Sequence, residues 1–142
     1  MTDLIKLSVS LDDMEEYEPL PNGTYPAEIR SVEEKYSEGV PGGYYKMALR
    51  IDPDDFPADY DPANAPEGVQ VVWASLKRPD PNERRTIRPF KQFIKAVGGD
   101  LKAAEFNTDD WVGQHVQVLL TVSEYQGALV NNVQGVSELP SV

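Results

Sequence analysis

The sequence contains no cysteine in its 142 residues. Disulfide frameworks, thiolate nucleophiles, zinc ribbons and iron–sulfur clusters all need cysteine, so none of these classes applies. The single histidine, His115, has no identifiable partner for acid–base catalysis. The phosphate-binding pattern G-x-x-x-x-G-K-[ST] is also absent. The sequence therefore predicts a protein without catalytic residues and without a cofactor.

Long apolar runs are absent as well. No segment approaches the roughly 18 apolar residues that a membrane-spanning helix needs. The first residues also lack the cationic and apolar regions that are typical of a signal peptide. We expect a cytoplasmic protein that has no membrane partner.

Acidic residues, by contrast, are abundant, because 24 Asp and Glu stand against 13 Lys and Arg and give a formal net charge of −11. This excess lies in the first half of the chain, since residues 71–142 carry no net charge. Residues 73–102 even carry eight cations against three carboxylates. A chain polarised in this way can present a basic patch to a polyanion despite its acidic total.

Five aspartates and three prolines lie in the segment from Asp52 to Pro62. A calcium-binding loop that began at Asp52 would place Pro57 where glycine is required and Ala63 where a bidentate glutamate belongs. We therefore interpret the segment as a solvated loop extended by its own charge. The sequence predicts no metal site.

Alternating apolar residues predict five strands. The first begins at Asn22–Gly23 and includes a bulge before Val32, and a turn over Gly39–Gly43 leads to the second. The second strand covers residues 44–51 and the third covers about 69–76. The fourth strand follows Gly113, and the fifth covers 128–136 after the turn Gln126–Gly127.

One helix is predicted between the third and fourth strands. It begins near Thr86, a suitable N-cap residue, and its apolar residues follow helical spacing at Phe90, Phe93, Ile94 and Val97. Five strands with a helix between the third and fourth are the element order of the OB-fold, a small barrel that binds oligonucleotides and oligosaccharides. We therefore predict an all-β protein with one helix, folded as a five-stranded OB-fold-like barrel.

The composition divides the chain into three parts. Residues 1–21 form an acidic N-terminal arm, residues 22–137 the OB-fold domain, and residues 138–142 a short C-terminal tail.

Three groups of segments carry a resemblance to a known family. They are Leu20–Tyr25, Phe90–Gly98, and Trp111–Val116 followed by Tyr125–Gly127 and Asn131–Val133. Together they resemble the small single-stranded DNA-binding proteins encoded by bacteriophages. The resemblance spans about residues 20–136 and implies an OB-fold, single-stranded DNA as ligand, and a role in phage DNA replication or recombination in the cytoplasm of the host cell.

Single-stranded nucleic acid is bound by aromatic faces on which bases stack and by cations that follow the backbone. The residues of these types on and beside the second and third strands and ahead of the helix are Tyr36, Tyr44, Lys46, Arg50, Trp73, Lys77, Arg78, Arg84, Arg85 and Arg88. Tyr25 and Tyr45 alternate with core positions and are assigned to the core. Two interpretations of Trp73 stay open: it stacks on a base, or it packs inside the barrel with Val69 and Val71.

The helix carries a basic stripe, because Arg84, Arg88, Lys91 and Lys95 recur at helical spacing. The stripe is interpreted either as a track for phosphates or as a solvated helix face, and both interpretations stay open.

The N-terminal arm carries five carboxylates within seven residues, namely Asp12, Asp13, Glu15, Glu16 and Glu18, with Tyr17 among them. Three interpretations are open for this segment. It competes with DNA for the binding groove, it recruits a replication or recombination protein, or it is a solubilising arm.

The function predicted from these observations is largely sequence-independent binding of single-stranded DNA. The alternative follows from the acidic total charge. In that case the protein is an acidic DNA mimic, or a protein-binding OB module, that binds a host or viral protein instead of nucleic acid.

Overall fold

The structure is a computed structural model that describes residues 4–8, 10, 18–37 and 40–140. Within these residues one antiparallel sheet of five strands is accompanied by one α-helix and several short 3-10 turns. The elements in chain order are β1 (Gly23–Ser37), β2 (Val40–Ile51), β3 (Gln70–Lys77), α1 (Ile87–Ala96), β4 (His115–Tyr125) and β5 (Ala128–Ser137). The helix lies between the third and fourth strands, so the predicted element order is confirmed.

The strands follow the order β3-β2-β1-β4-β5 in the sheet, and every pairing is antiparallel. The sheet is curved so strongly that β3 and β5, at its two edges, come into contact. Residues of both strands line the same two grooves. No hydrogen-bonded ladder joins β3 to β5 within the described residues, so this seam of the barrel is partly open. The architecture is the predicted OB-like barrel.

The long β1–β2 hairpin differs in part from its prediction. The expected bulge is present as a register shift between Ile29 and Ser31. The expected turn over Gly39–Gly43 is wrong, because β2 begins at Val40 and includes Gly42 and Gly43. Gly43 has a φ of +80°, and a Cβ there would lie 2.6 Å from the Lys35 carbonyl oxygen. These glycines therefore permit a strained, closely packed strand instead of a turn.

The core fills the barrel and is closed at one end by α1. In β3 the side chains of Gln70, Val72, Ala74 and Leu76 are buried while the alternate residues are exposed. The helix contributes Phe90, Phe93 and Ile94, and these pack with Trp111 against the interior of the sheet. Thr86 occupies the predicted N-cap position, but its hydroxyl donates to the Glu83 carbonyl at 2.7 Å instead of capping the helix. In the described part of the chain, no helix has the length and apolar character needed to cross a membrane.

The acidic segment between β2 and β3 is folded, not extended as predicted. It contains three 3-10 turns, Pro53–Asp55, Pro62–Asn64 and Pro66–Gly68, and its Tyr60 and Ala65 are buried. Burial raises the pKa of the Tyr60 phenol above its usual value. Short proline-initiated turns satisfy local backbone groups without a regular helix, so proline is compatible with this compact arrangement.

The end of the predicted N-terminal arm packs onto the barrel. Leu20, assigned to the arm by composition, is fully buried, and Asn131 hydrogen-bonds to both its backbone N–H and its carbonyl. The Glu18 carbonyl accepts hydrogen bonds from Tyr60 and from the Gln70 amide. The other acidic residues of the arm, Asp3, Asp12, Asp13, Glu15 and Glu16, lie outside the described residues together with Tyr17.

Candidate nucleic-acid interface

Strand register places half of the predicted binding residues on one surface, the outer face of β2 and β3. Trp73 lies opposite Ala48, Tyr44 lies opposite Lys77, and Arg50 lies opposite Val71. Alternate residues of a strand point to opposite faces, so these side chains share one face. We call the five predicted residues on it the outer-face cluster: Tyr44, Lys46, Arg50, Trp73 and Lys77.

Trp73 stands at the centre of the outer-face cluster. Its side chain is 52 % exposed, and the Lys46 ammonium lies 4.7 Å from the ring centroid, a cation–π contact. The alternative position, inside the barrel with Val69 and Val71, is wrong, because Val71 is itself 44 % exposed on the same outer face. A large aromatic ring is thus held at the surface with one face beside a cation.

The two tyrosines that the sequence assigned to the core are in the core. Tyr25 is buried, and its hydroxyl donates to the Pro21 carbonyl at 2.7 Å. Burial is also the main cause that raises the pKa of Tyr25. Tyr45 is half-buried and meets Trp111 edge to face at 5.6 Å.

The charges around Trp73 differ in how freely they can meet a ligand. Lys77 is exposed, and neither it nor Lys46 forms an ion pair with any residue that the structure describes. Arg50 is half-buried and paired with Asp52. The two lysines are therefore the cations of this surface that are most available to an anion.

The neighbouring strand β1 bounds this basic surface with carboxylates. Glu28 lies opposite Arg50, and Glu33 lies opposite Lys46 in the β1–β2 pairing. Each of the two glutamates also contacts a cation of its own strand, Arg30 at 3.4 Å and Lys35 at 3.5 Å respectively. These two pairs balance in charge, so the positive charge of this surface comes from the cations of β2 and β3.

On its other side, Trp73 borders a groove at the open seam. The groove has a volume of about 400 Å³ and is lined by Trp73 and Val71 of β3, by Leu129, Asn131 and Asn132 of β5, and at one end by Glu18 and Pro19. Leu129 is 56 % exposed. The sequence prediction did not include the β5 residues of this groove, because only the closure of β5 towards β3 brings them beside Trp73.

Tyr36 and Arg78 lie apart from the outer-face cluster. The Tyr36 hydroxyl donates to Glu34 at 2.7 Å, and Glu34 lies opposite the inward-facing Tyr45. This hydrogen bond is the main cause that raises the pKa of Tyr36. Arg78 lines a groove with Tyr45, Phe90, Phe106 and Trp111. Both residues therefore belong to the inner side of the sheet, at the helix end of the barrel.

The other predicted arginines, Arg84, Arg85 and Arg88, lie apart from both the outer-face cluster and the inner-side residues Tyr36 and Arg78. Arg84 and Arg85 lie in the 3-10 turn that precedes α1, and Arg88 lies in the first turn of α1. All three are exposed, and the Arg85 guanidinium lies 3.8 Å from Glu83. The structure thus divides the predicted set into the outer-face cluster, an inner-side pair and a group at the end of the barrel.

The outer-face cluster combines an exposed aromatic ring, two lysines that form no ion pair among the described residues, and an adjoining groove on one continuous surface. These are the parts that a stacking platform for single strands requires. In comparisons with known proteins, the chain matches no protein-family model and no curated protein sequence.

Proposed function

We propose that the protein binds single-stranded DNA across the outer-face cluster, with little sequence preference. The observation that carries the proposal is Trp73, which is 52 % exposed at the centre of the β2–β3 face with Lys46 against its ring. Exposed tryptophan on a sheet surface leaves apolar area in contact with water, and a stacked base would cover it.

In this proposal the ring and the cations have separate roles. A base stacks on Trp73, while Lys46, Lys77 and Arg50 contact the phosphates on either side of it. Neither interaction reads the edge of a base, because every base has a π-face and every nucleotide has a phosphate. The proposed binding is therefore largely independent of sequence.

The wider role in phage DNA replication or recombination is supported by the resemblance that the sequence carries. The acidic segment from Asp12 to Glu18 would recruit a replication or recombination protein in that setting. The proposed function needs no cofactor and no catalytic residue, and it would be carried out in the host cytoplasm.

The alternative function, an acidic DNA mimic or protein-binding module, is favoured by a different observation. The loop between β2 and β3 is folded and presents exposed carboxylates at Asp54, Asp55, Asp59 and Asp61. A fixed array of carboxylates can imitate a phosphate backbone towards a basic partner protein.

Titration with a labelled oligonucleotide of about 30 nucleotides separates these two functions. With about three phosphates neutralised, the logarithm of the affinity should fall against the logarithm of the salt concentration with a slope of about −2, at roughly 0.7 per contact. Single strands should bind more tightly than the duplex of the same sequence. Absence of binding at about 50 mM salt would refute the proposal and favour the alternative. Equal binding to duplex would refute the proposed preference for single strands.

A further inference from the structure

The two ends of the barrel carry opposite charge. Residues 51–76 contain six carboxylates and no Lys or Arg, whereas residues 84–95 contain five cations and no carboxylate. We call the exposed aspartates of the first segment, Asp54, Asp55, Asp59 and Asp61, the acidic pole. We call the exposed cations of the second segment, Arg84, Arg85, Arg88, Lys91 and Lys95, the basic pole.

Strand β3 separates the two poles. The acidic loop precedes Gln70, where β3 begins, and the turn and helix of the basic pole follow Lys77, where β3 ends. The end of β5 lies with the helix, because the Lys95 ammonium is 3.9 Å from a carboxylate oxygen of Glu138. Eight residues of strand at about 3.3 Å each put roughly 25 Å between the poles.

Each pole is held in a fixed shape. Tyr60 anchors the acidic loop through an edge-to-face contact with Phe56 at 5.1 Å and a hydrogen bond to the Glu18 carbonyl, and the Asp61 carboxylate accepts from the Ala63 N–H. The cations of the basic pole lie in α1 and in the turn before it. Phe93 and Ile94, on the opposite face of α1, are buried in the core and hold the helix in place. Preorganised surfaces lose little conformational entropy when they associate.

We infer that the basic pole binds the acidic pole of a second copy of this protein, head to tail. The two surfaces are complementary in sign and nearly equal in number of charges. Arg84, Arg88 and Lys91 form no ion pair with any other residue in the described ranges, so they are available for a partner. Because the two contacting surfaces differ, each copy keeps one free pole, and the association extends into chains or closes into a ring.

A second copy fits the basic pole better than a nucleic-acid strand does. Single strands are held by stacking as well as by phosphate contacts. The aromatic residues of this helix, Phe90 and Phe93, are buried, so the basic pole presents no ring to a base. The inference does not depend on the proposed function, since it concerns association in the absence of DNA.

Sedimentation velocity of the full chain, without DNA, tests the inference at about 0.1 M salt. Under these conditions the screening length is about 10 Å, so repulsion between whole acidic molecules is reduced while charges in contact still attract. Association should increase with protein concentration and disappear at about 1 M salt, where the screening length is about 3 Å. A sample that stays monomeric to about 1 mM would overturn the inference, because that excludes a dissociation constant in the millimolar range or below.

Charge-reversed variants locate the contact. Arg88→Glu with Lys91→Glu should weaken association at least tenfold, and so should Asp54→Lys with Asp55→Lys. An equimolar mixture of the two double variants should associate again, because the intact acidic pole of the first variant meets the intact basic pole of the second. Failure of the mixture to associate would contradict the pairing of these two surfaces.

Two controls separate this contact from other effects. Arg88→Lys with Lys91→Arg keeps the charge and should associate like the unaltered protein. Lys35→Glu with Lys102→Glu changes the net charge as much as the helix variant does but lies outside both poles, so it should also associate normally. If the helix variant associated normally but lowered the affinity for a 30-nucleotide single strand, the basic pole would be a phosphate track and the inference would be wrong.

Discussion

The two tryptophans of the chain occupy opposite environments. Trp111 is 4 % exposed and meets three aromatic rings edge to face, at 5.6 Å from Tyr45, 6.2 Å from Phe90 and 4.9 Å from Phe93. Trp73 is 52 % exposed. The Lys46 ammonium lies over its ring, and no aromatic ring of the described residues packs against it. The same side chain is therefore a structural residue in one place and a candidate ligand platform in the other.

The difference follows from what each ring packs against. Trp111 fills the junction between α1 and the interior of the sheet, so its area is already removed from water by the protein. Trp73 projects from the outer face of β3, where no second layer of described residues covers it. A ligand can gain free energy from the apolar surface of Trp73 but not from that of Trp111.

Removal of the buried ring should have the largest effect. Trp111→Ala should lower the free energy of unfolding by about 3–5 kcal/mol, because truncation of a buried aromatic leaves a cavity among Tyr45, Phe90 and Phe93. Chemical denaturation measured by circular dichroism checks this value. A loss below about 1 kcal/mol, the typical scale of an ordinary point mutation, would mean that the ring is not part of the core.

Removal of the exposed ring should act on binding instead. Trp73→Ala should weaken the binding of single-stranded DNA by about 1–3 kcal/mol, the contribution of one stacked base. The variant also loses the cation–π contact with Lys46, so the melting temperature should fall by a few degrees, much less than in Trp111→Ala. Leu119→Ala is the matched control, because Leu119 is 45 % exposed on β4, away from β2 and β3. Equal losses of affinity in Trp73→Ala and Leu119→Ala would show that Trp73 contributes no more to DNA binding than another exposed residue of the sheet.

The cations beside the exposed ring should change the salt dependence. Lys77→Ala should make the slope of log affinity against log salt shallower by about 0.7, the value for one phosphate contact on a single strand. Arg84→Ala, at the basic pole, should leave the slope unchanged. If Arg84→Ala changed the slope more than Lys77→Ala, the phosphate contacts would lie at the helix and not on β3.

The smallest effect is expected at the cation–π contact. Lys46→Met keeps the apolar stem and removes the charge, so the free energy of unfolding should fall by about 0.5–1 kcal/mol, the value of an exposed cation–π pair. The control is Lys91→Met, which removes an exposed lysine from a helix face without an aromatic neighbour. Equal changes in the two unfolding measurements would show that Lys46 does not stabilise Trp73.

Periodicity in the sequence was sufficient to predict the order of strands and helix along the chain and the buried face of the helix. It also placed Trp73 and Val71 on one face of β3, but it could not decide which face points outwards, since apolar residues occupy both. Only the pairing with β2 settles this, because it sets Trp73 beside Lys46, a residue that favours solvent.

Contacts between residues far apart in the sequence could not be predicted. The order of the acidic loop depends on Tyr60 and Glu18, which are 42 positions apart, and the burial of Leu20 depends on Asn131, 111 positions away. Local pattern carries no information on such pairings.

The most direct measurement of the central claim, that a base stacks on Trp73, is tryptophan fluorescence during titration with an oligonucleotide of thymidine. The chain has two tryptophans, so single replacements assign the signal. The account predicts that DNA quenches the emission of the unaltered protein and of Trp111→Phe, and that the quenching is lost in Trp73→Phe. Quenching that persists in Trp73→Phe, or is absent from Trp111→Phe while DNA still binds, would contradict the account.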